Sequence, residues 1–192
     1  MKRILCFGDS NTFGCDPRSY LGSQYPDNVR WTRLLRGMGW EAVNYGQNGL
    51  RVPRGSQFPA IIDQLRRAVP ADAVTVMLGG NDLLNGISAE ETAAWMEALL
   101  RCMKEHAGDV VLLLIAPPPL RFGDWVQTQE LIDESERLGG LYRRLAGKLD
   151  IAFADAGEWD VTLTFDGVHF SPEGHAAFAK GLAEALETEV TP

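Results

Sequence analysis

The sequence predicts an α/β fold in which helices cover both faces of a five-stranded parallel sheet. Short apolar, β-branched segments alternate along the chain with longer amphipathic ones, as in repeated strand–helix–strand units. Three of the five predicted strands are nearly continuous apolar runs, as expected of strands that helices bury on both faces. The predicted strands are residues 3–8, 42–45, 73–78, 110–116 and 151–154.

The predicted helices lie between and after these strands, and two of them have clear starts. Ser88-Ala89-Glu90-Glu91 forms a capping box, and Ser171-Pro172 predicts an N-cap followed by proline at the first helical position of the last helix. Apolar side chains at helical spacing predict further helices at residues 31–38, 58–65 and 138–149. Gly139-Gly140 leaves the length of the last of these open.

Length and composition favour one globular domain over residues 1–192, because no repeat, low-complexity tract or flexible linker divides the chain. Eighteen Lys and Arg against 26 Asp and Glu give a net charge of −8, which argues against nucleic acid as a main partner. No segment has the length of a membrane span, and the apolar run after Lys2-Arg3 is too short for a signal peptide.

The cysteines predict a cytoplasmic protein. Cys6, Cys15 and Cys102 are odd in number and have no metal-ligand spacing, so we expect free thiols in a reducing compartment. No surface pattern decides the oligomeric state, and a homo-oligomer stays open.

Polar or glycine-rich segments follow the predicted strands. Because the carboxyl ends of parallel strands meet at one edge of the sheet, we expect these segments to form the functional site. They are residues 9–14, 46–55, 79–85, 117–125 and, after the fifth strand, 166–169.

Two of these segments, from opposite ends of the chain, supply the side chains that acyl transfer through a serine requires. Ser10 follows the first strand, and a serine hydroxyl needs a nearby imidazole to take its proton. His169 can be that base, and Asp166, three residues earlier, can reach the other ring nitrogen. Each residue alone has an ordinary structural explanation, as a helix cap, a loop histidine and a turn residue.

Two further residues can donate hydrogen bonds to a developing oxyanion. Asn81 carries an amide at a strand end, and Gly49 can bring a backbone N–H close because it has no Cβ. Trp125 and the Pro117-Pro118-Pro119 run follow the fourth strand, where they form either a pocket wall or a rigid turn. His106 ends a predicted helix, and His175 is either a surface residue or a residue that supports the site.

Two other classes of function stay open at this point. A phosphate- or nucleotide-binding module could use Gly79-Gly80 or residues 46–49, although the sequence has no P-loop and no Gly-x-Gly-x-x-Gly. A metal-dependent hydrolase could use Asp9, Asp166, His169 and His175, although their spacing is not typical of zinc sites.

The sequence resembles the SGNH hydrolases, also called the GDSL esterase/lipase family, in four blocks that occur in the family's order. The blocks are Gly8-Asp9-Ser10-Asn11-Thr12, Gly49 in residues 44–49, Gly79-Gly80-Asn81-Asp82, and Asp166-Gly167-Val168-His169. The resemblance implies a three-layer α/β/α flavodoxin-like fold and hydrolysis of a small-molecule ester without metal or cofactor. Asn11 is a departure, because the family's common name implies leucine there.

The resemblance also assigns roles. Ser10 is expected as the nucleophile, His169 as the base and Asp166 as the residue that orients the histidine. The oxyanion hole is expected from the backbone N–H groups of Ser10 and Gly49 and the side chain of Asn81. Residues 7–14 and 29–32 are similar to the bacterial arylesterase and acyltransferase branch, which favours short acyl chains; carbohydrate O-deacetylase, lysophospholipase and thioesterase activities are alternatives within the family.

Overall fold

The protein forms one five-stranded parallel sheet in the computed structural model, which describes residues 1–19 and 21–190. The strands lie in the order β2-β1-β3-β4-β5, and every neighbouring pair is parallel. All five predicted strands are confirmed, with ends that shift by two residues at most. Their bounds are β1 Lys2–Gly8, β2 Trp40–Gly46, β3 Ala73–Met77, β4 Val111–Ala116 and β5 Ala152–Asp155.

Helices cover both faces of this sheet, which confirms the three-layer arrangement. They are α1 Ser10–Phe13, α2 Trp31–Leu34, α3 Phe58–Ala68, α4 Gly80–Leu84, α5 Ala89–Ala107, α6 Gln129–Leu149 and α7 Pro172–Val190, with short 3₁₀ turns at Leu35–Met38, Gly55–Gln57 and Ala156–Glu158. Alternate strand residues face opposite layers: Leu5 packs with α3, α5 and α6, whereas Ile4 and Cys6 pack with α2 and α7.

Both predicted helix starts are confirmed, but two other segments differ from the prediction. The Ser88 side chain accepts a hydrogen bond from the Glu91 N–H at the start of α5, and α7 begins at Pro172. Residues 31–38 are α2 followed by a 3₁₀ turn, and residues 79–85, expected as a loop, contain the short helix α4.

The helix expected at residues 138–149 is longer than its apolar stripe. α6 begins at Gln129, where the Thr128 side chain accepts from the Leu131 N–H, and it continues through Gly139-Gly140. A Cβ on Gly139 would lie 3.2 Å from Asp155 Oδ2. This glycine therefore allows α6 to pack closely on the end of β5.

The carboxyl ends of the strands form the edge on which polar segments meet. The strand order reverses direction between β1 and β3, and α1 and α4 begin directly after these two strands. Such a reversal is where open α/β sheets form a crevice for ligands. A Cβ on Gly46 would lie 2.1 Å from the Phe13 backbone nitrogen, so the end of β2 needs glycine to let α1 lie over it.

Among the described helices, none combines the length and apolar character that a bilayer crossing requires.

Candidate active site

Ser10 lies at the turn from β1 into α1. The preceding residue, Asp9, is the N-cap of this short helix, and its Oδ1 accepts a hydrogen bond of 3.0 Å from the Asn11 N–H. Burial raises the pKa of the Asp9 carboxyl to about 6, although the Asn11 N–H and the nearby His169 act in the opposite direction. The Ser10 hydroxyl is thus held in a fixed position above the strand end, in a side chain that is only 6% exposed.

His169 links Ser10 to Asp166 although 159 positions separate it from the serine. Its Nε2 lies 2.9 Å from Ser10 Oγ and its Nδ1 lies 2.6 Å from Asp166 Oδ2. Because a carboxylate can only accept, the ring proton lies on Nδ1, which leaves Nε2 free to accept from the serine hydroxyl. These are the contacts that sequence analysis expected of the three residues.

Asp166 is held as a carboxylate by its surroundings. Its Oδ1 accepts from the Thr164 hydroxyl at 2.8 Å and from the backbone N–H groups of Val168 and His169 at 2.9 and 3.0 Å. Burial favours the neutral acid, but the bonds from the His169 ring and these N–H groups outweigh it and lower the pKa of Asp166 to about 2. The imidazole therefore faces a negative charge over the whole neutral pH range.

Asn11 joins the two ends of the chain at the site, a function that sequence analysis missed. Its Nδ2 donates to the Val168 carbonyl at 3.1 Å, and its Oδ1 accepts from the Phe170 N–H at 2.9 Å. The side chain thus holds the residues on both sides of His169. The signal was an amide, with donor and acceptor at one end, directly after Ser10.

Asn81 lies in the first turn of α4, and it is hydrogen-bonded to the loop that carries Gly49. Its Nδ2 donates to the Leu50 carbonyl at 3.1 Å, and the buried Asp82 accepts from the Val52 N–H at 2.9 Å. An amide has two N–H bonds, so one remains to donate elsewhere. Gly49 has φ +71°, the left-handed region that favours glycine, and it lies on the exposed surface of this loop.

A small cavity of about 20 Å³ lies beside Ser10, and Asn81 also lines it. This is the space of about one water molecule or one methyl group. Its other walls are largely apolar and include Leu83, Pro117, Pro118, Leu120, Leu138 and Val168. The proline run after β4 therefore contributes to a pocket wall, one of the two alternatives left open by the sequence.

His175 is a buried residue, so its expected placement on the surface is wrong. It is 0% exposed, its Nδ1 accepts from the Trp31 N–H at 3.4 Å, and its ring packs edge-on against Tyr25 and Phe170. Burial, together with the neighbouring Arg30 and His169, lowers the pKa of His175 to about 4. His106 Nδ1, by contrast, lies 2.7 Å from the Cys102 carbonyl, near the end of α5.

His175 should make the protein less stable as the pH falls from neutral towards 4. Its pKa is about 4 in the folded protein against 6.5 for the ordinary group, so between these values only the unfolded chain binds the proton. The loss should approach about 3 kcal/mol at pH 4. Urea unfolding of wild type and His175→Gln at pH 7 and pH 4 measures it, with His106→Gln as control; equal losses in wild type and His175→Gln would contradict the assignment.

The residues considered for a metal site are engaged in other contacts. Asp166, His169 and Ser10 are hydrogen-bonded to one another, and His175 accepts from a backbone N–H. Within residues 1–19 and 21–190, no three His, Cys, Asp or Glu side chains form a group that could hold a metal ion.

A crevice at the strand ends, with a serine, a histidine and an aspartate in hydrogen-bond contact, defines an α/β hydrolytic enzyme. A sequence profile of the GDSL-like lipase/acylhydrolase family matches residues 6–177, so the chain belongs to this family of SGNH-type ester hydrolases. The phosphate-binding alternative is therefore not retained. No curated protein sequence matches the chain significantly.

Solved structures of esterases are similar over nearly the whole chain. A candidate arylesterase from Agrobacterium tumefaciens is 30% identical with a TM-score of 0.85, covering 98% of this chain and 100% of that one. The aryl esterase of M. smegmatis is 26% identical, with a TM-score of 0.85 and the same coverage. A carbohydrate acetylesterase from Sinorhizobium meliloti is 26% identical with a TM-score of 0.84, covering 98% and 99%.

Proposed function

We propose that this protein is a serine esterase that hydrolyses short-chain carboxylic esters through an acyl-Ser10 intermediate. The observation that carries the proposal is the unbroken hydrogen-bond chain from Ser10 Oγ through His169 to Asp166. The distance of 2.9 Å from Nε2 to the hydroxyl is within direct proton-transfer range.

In the first half-reaction, the Ser10 hydroxyl gives its proton to His169 Nε2 while Oγ bonds to the ester carbonyl carbon. The carbonyl π electrons move to the oxygen, which becomes an oxyanion. When the carbonyl re-forms, the bond to the alcohol oxygen breaks, and that oxygen takes the proton from Nε2. The free alcohol leaves, and the acyl group remains on Ser10.

In the second half-reaction, water repeats these steps. His169 takes a proton from water as the water oxygen bonds to the acyl carbon. Collapse of the second oxyanion breaks the bond to Oγ, which regains the proton. The products are the carboxylic acid and the original serine, and Asp166 stays ionised throughout, stabilising the imidazolium that forms twice.

The oxyanion is proposed to be bound by the N–H groups of Ser10 and Gly49 and the Asn81 side chain. In support, Asn81 lines the same cavity as Ser10, and its bond to Leu50 holds the residue next to Gly49. Each such donor typically contributes ~3 kcal/mol to stabilising the transition state.

The cavity beside Ser10 favours an acetyl group as the acyl part. Its volume of about 20 Å³ takes one methyl group but no longer chain without movement of the walls. The similarity to a carbohydrate acetylesterase and to aryl esterases agrees with this size and makes acetyl esters of sugars or aryl alcohols the proposed substrates.

Hydrolysis of p-nitrophenyl acetate, butyrate and octanoate tests this proposal. We expect kcat/KM to fall at least about tenfold from acetate to butyrate, since each methylene that stays outside forgoes its burial energy and clashes with the walls. An organophosphate should stop all turnover and label Ser10, as mass spectrometry of the peptides will report. Octanoate cleaved as fast as acetate would contradict the short-chain part, and a label on another residue the nucleophile.

Leu120→Ala should widen the cavity and shift this preference towards butyrate. Leu120 lines the cavity, whereas Ile132 packs in the same small apolar cluster without lining it. Ile132→Ala is therefore the matched control for general loosening. Equal acetate-to-butyrate ratios in the two variants would contradict the assignment of this cavity to the acyl group.

A further inference from the structure

Three large aromatic side chains are exposed on two loops next to the base. Phe122, Trp125 and Phe165 are 63%, 58% and 56% exposed. Burial of such side chains in water-free contacts is favourable, and clustered apolar surface on a soluble protein marks a binding site more often than chance exposure does. These residues lie at the strand edge that holds Ser10, so the ligand concerned is the substrate.

The two loops are hydrogen-bonded to each other through their backbones. The N–H groups of Arg121, Asp124 and Trp125 each donate at 3.1 Å, to the carbonyls of Gly167, Phe165 and Asp166 respectively. A Cβ on Gly123 would lie 2.4 Å from the Asp166 carbonyl carbon, so this approach requires glycine. The aromatic loop therefore has a fixed position relative to the loop that carries the acid and the base.

Trp125 contacts the base directly. Its ring meets the His169 ring edge-on, with 5.1 Å between centroids and an interplanar angle of 77°. His169 itself is only 4% exposed, whereas more than half of Trp125 remains open to solvent. The indole thus offers uncovered apolar surface within a few ångströms of the atom that handles the proton.

We propose that Trp125, with Phe122 and Phe165, binds the alcohol half of the ester and selects alcohols that carry a ring with an apolar face. This inference rests on the proposed function, because His169 must protonate the alcohol oxygen and so holds that oxygen within hydrogen-bond distance of Nε2. The rest of the alcohol then lies beside the indole, while the small cavity takes the acyl group. Aryl rings and sugar rings share the required flat face.

Trp125→Ala and Trp125→Phe test the inference on acetates that differ only in the alcohol. We expect Trp125→Ala to lower kcat/KM about tenfold for phenyl acetate or for an acetylated methyl glucoside, mainly through KM. Trifluoroethyl acetate, an activated ester without a ring, should change less than about twofold, and Trp125→Phe should keep most of the ring preference. The larger loss, on the phenyl or on the sugar ester, identifies which ring the site takes.

An equal loss on ring and ringless esters would overturn the inference, because Trp125 would then only position the His169 imidazole. An unchanged rate on every ester would overturn it as well. Met38→Ala is the matched control, since Met38 is an exposed apolar residue near the start of β2, at the opposite edge of the sheet. Its kinetics should equal wild type on every ester.

The same measurements separate this inference from the proposed function. Ser10-dependent hydrolysis of trifluoroethyl acetate that is indifferent to Trp125 would sink the alcohol-binding surface alone. If no acetate is cleaved in a Ser10-dependent manner by the wild type, both proposals fail.

Discussion

Ser10→Ala should lower kcat on p-nitrophenyl acetate by at least about 10⁴-fold, the largest effect expected of any single change in this protein. The substitution removes the atom that attacks the carbonyl and the hydroxyl that His169 Nε2 contacts at 2.9 Å. It leaves the oxyanion donors in place, so a small residual rate above the uncatalysed reaction should remain.

The folded structure should survive this substitution. Ser10 is small, and the turn that presents it is held by the Asp9 side chain and the Asn11 N–H. Thermal unfolding of the variant should match that of wild type within a few degrees, and Ser23→Ala, which changes an exposed loop serine, should keep full activity. A Ser10→Ala protein with more than about 1% of wild-type kcat would rule out Ser10 as the nucleophile.

Asp166→Asn should lower kcat by roughly 10³- to 10⁴-fold with little effect on the fold. Three donors point at Asp166 Oδ1, so the amide oxygen of the asparagine takes that position. The NH₂ group then faces His169 Nδ1, which has to accept, and the ring proton moves to Nε2. A protonated Nε2 cannot accept from the Ser10 hydroxyl.

The control for charge loss is Asp124→Asn, which removes a carboxylate from an exposed position on the neighbouring loop. Its kcat on p-nitrophenyl acetate should stay near that of wild type. A loss of less than tenfold in Asp166→Asn would show that the tautomer of His169 does not depend on this carboxylate.

The sheet could be predicted because its strands are buried on both faces, which leaves continuous apolar runs in the sequence. β3 and β4 have such runs, and their ends are predicted to within one residue. The start of β2 was placed two residues late, since polar residues such as Glu41 and Asn44 interrupt its apolar pattern. The convergence of the polar segments followed from topology alone, because parallel strands end at one edge.

The remaining features depend on contacts that a local pattern does not contain. α4 begins with Gly80-Asn81-Asp82, residues of low helix propensity, and Asp82 is buried there by the loop that ends at Val52. The burial of His175 depends on Tyr25 and Phe170, which come from elsewhere in the chain. The size of the cavity beside Ser10 is a property of packing, and no single residue encodes it.

The link that Asn11 makes between the two chain ends also determines when the enzyme becomes active during its synthesis. A ribosome makes the nucleophile first and the base 159 positions later. Asn11 finds the backbone partners that surround His169, Val168 and Phe170, only after both have been made. Until then the nascent chain carries an ordinary serine hydroxyl with no base to remove its proton, and reactivity arises in one step when the final segment packs onto the sheet.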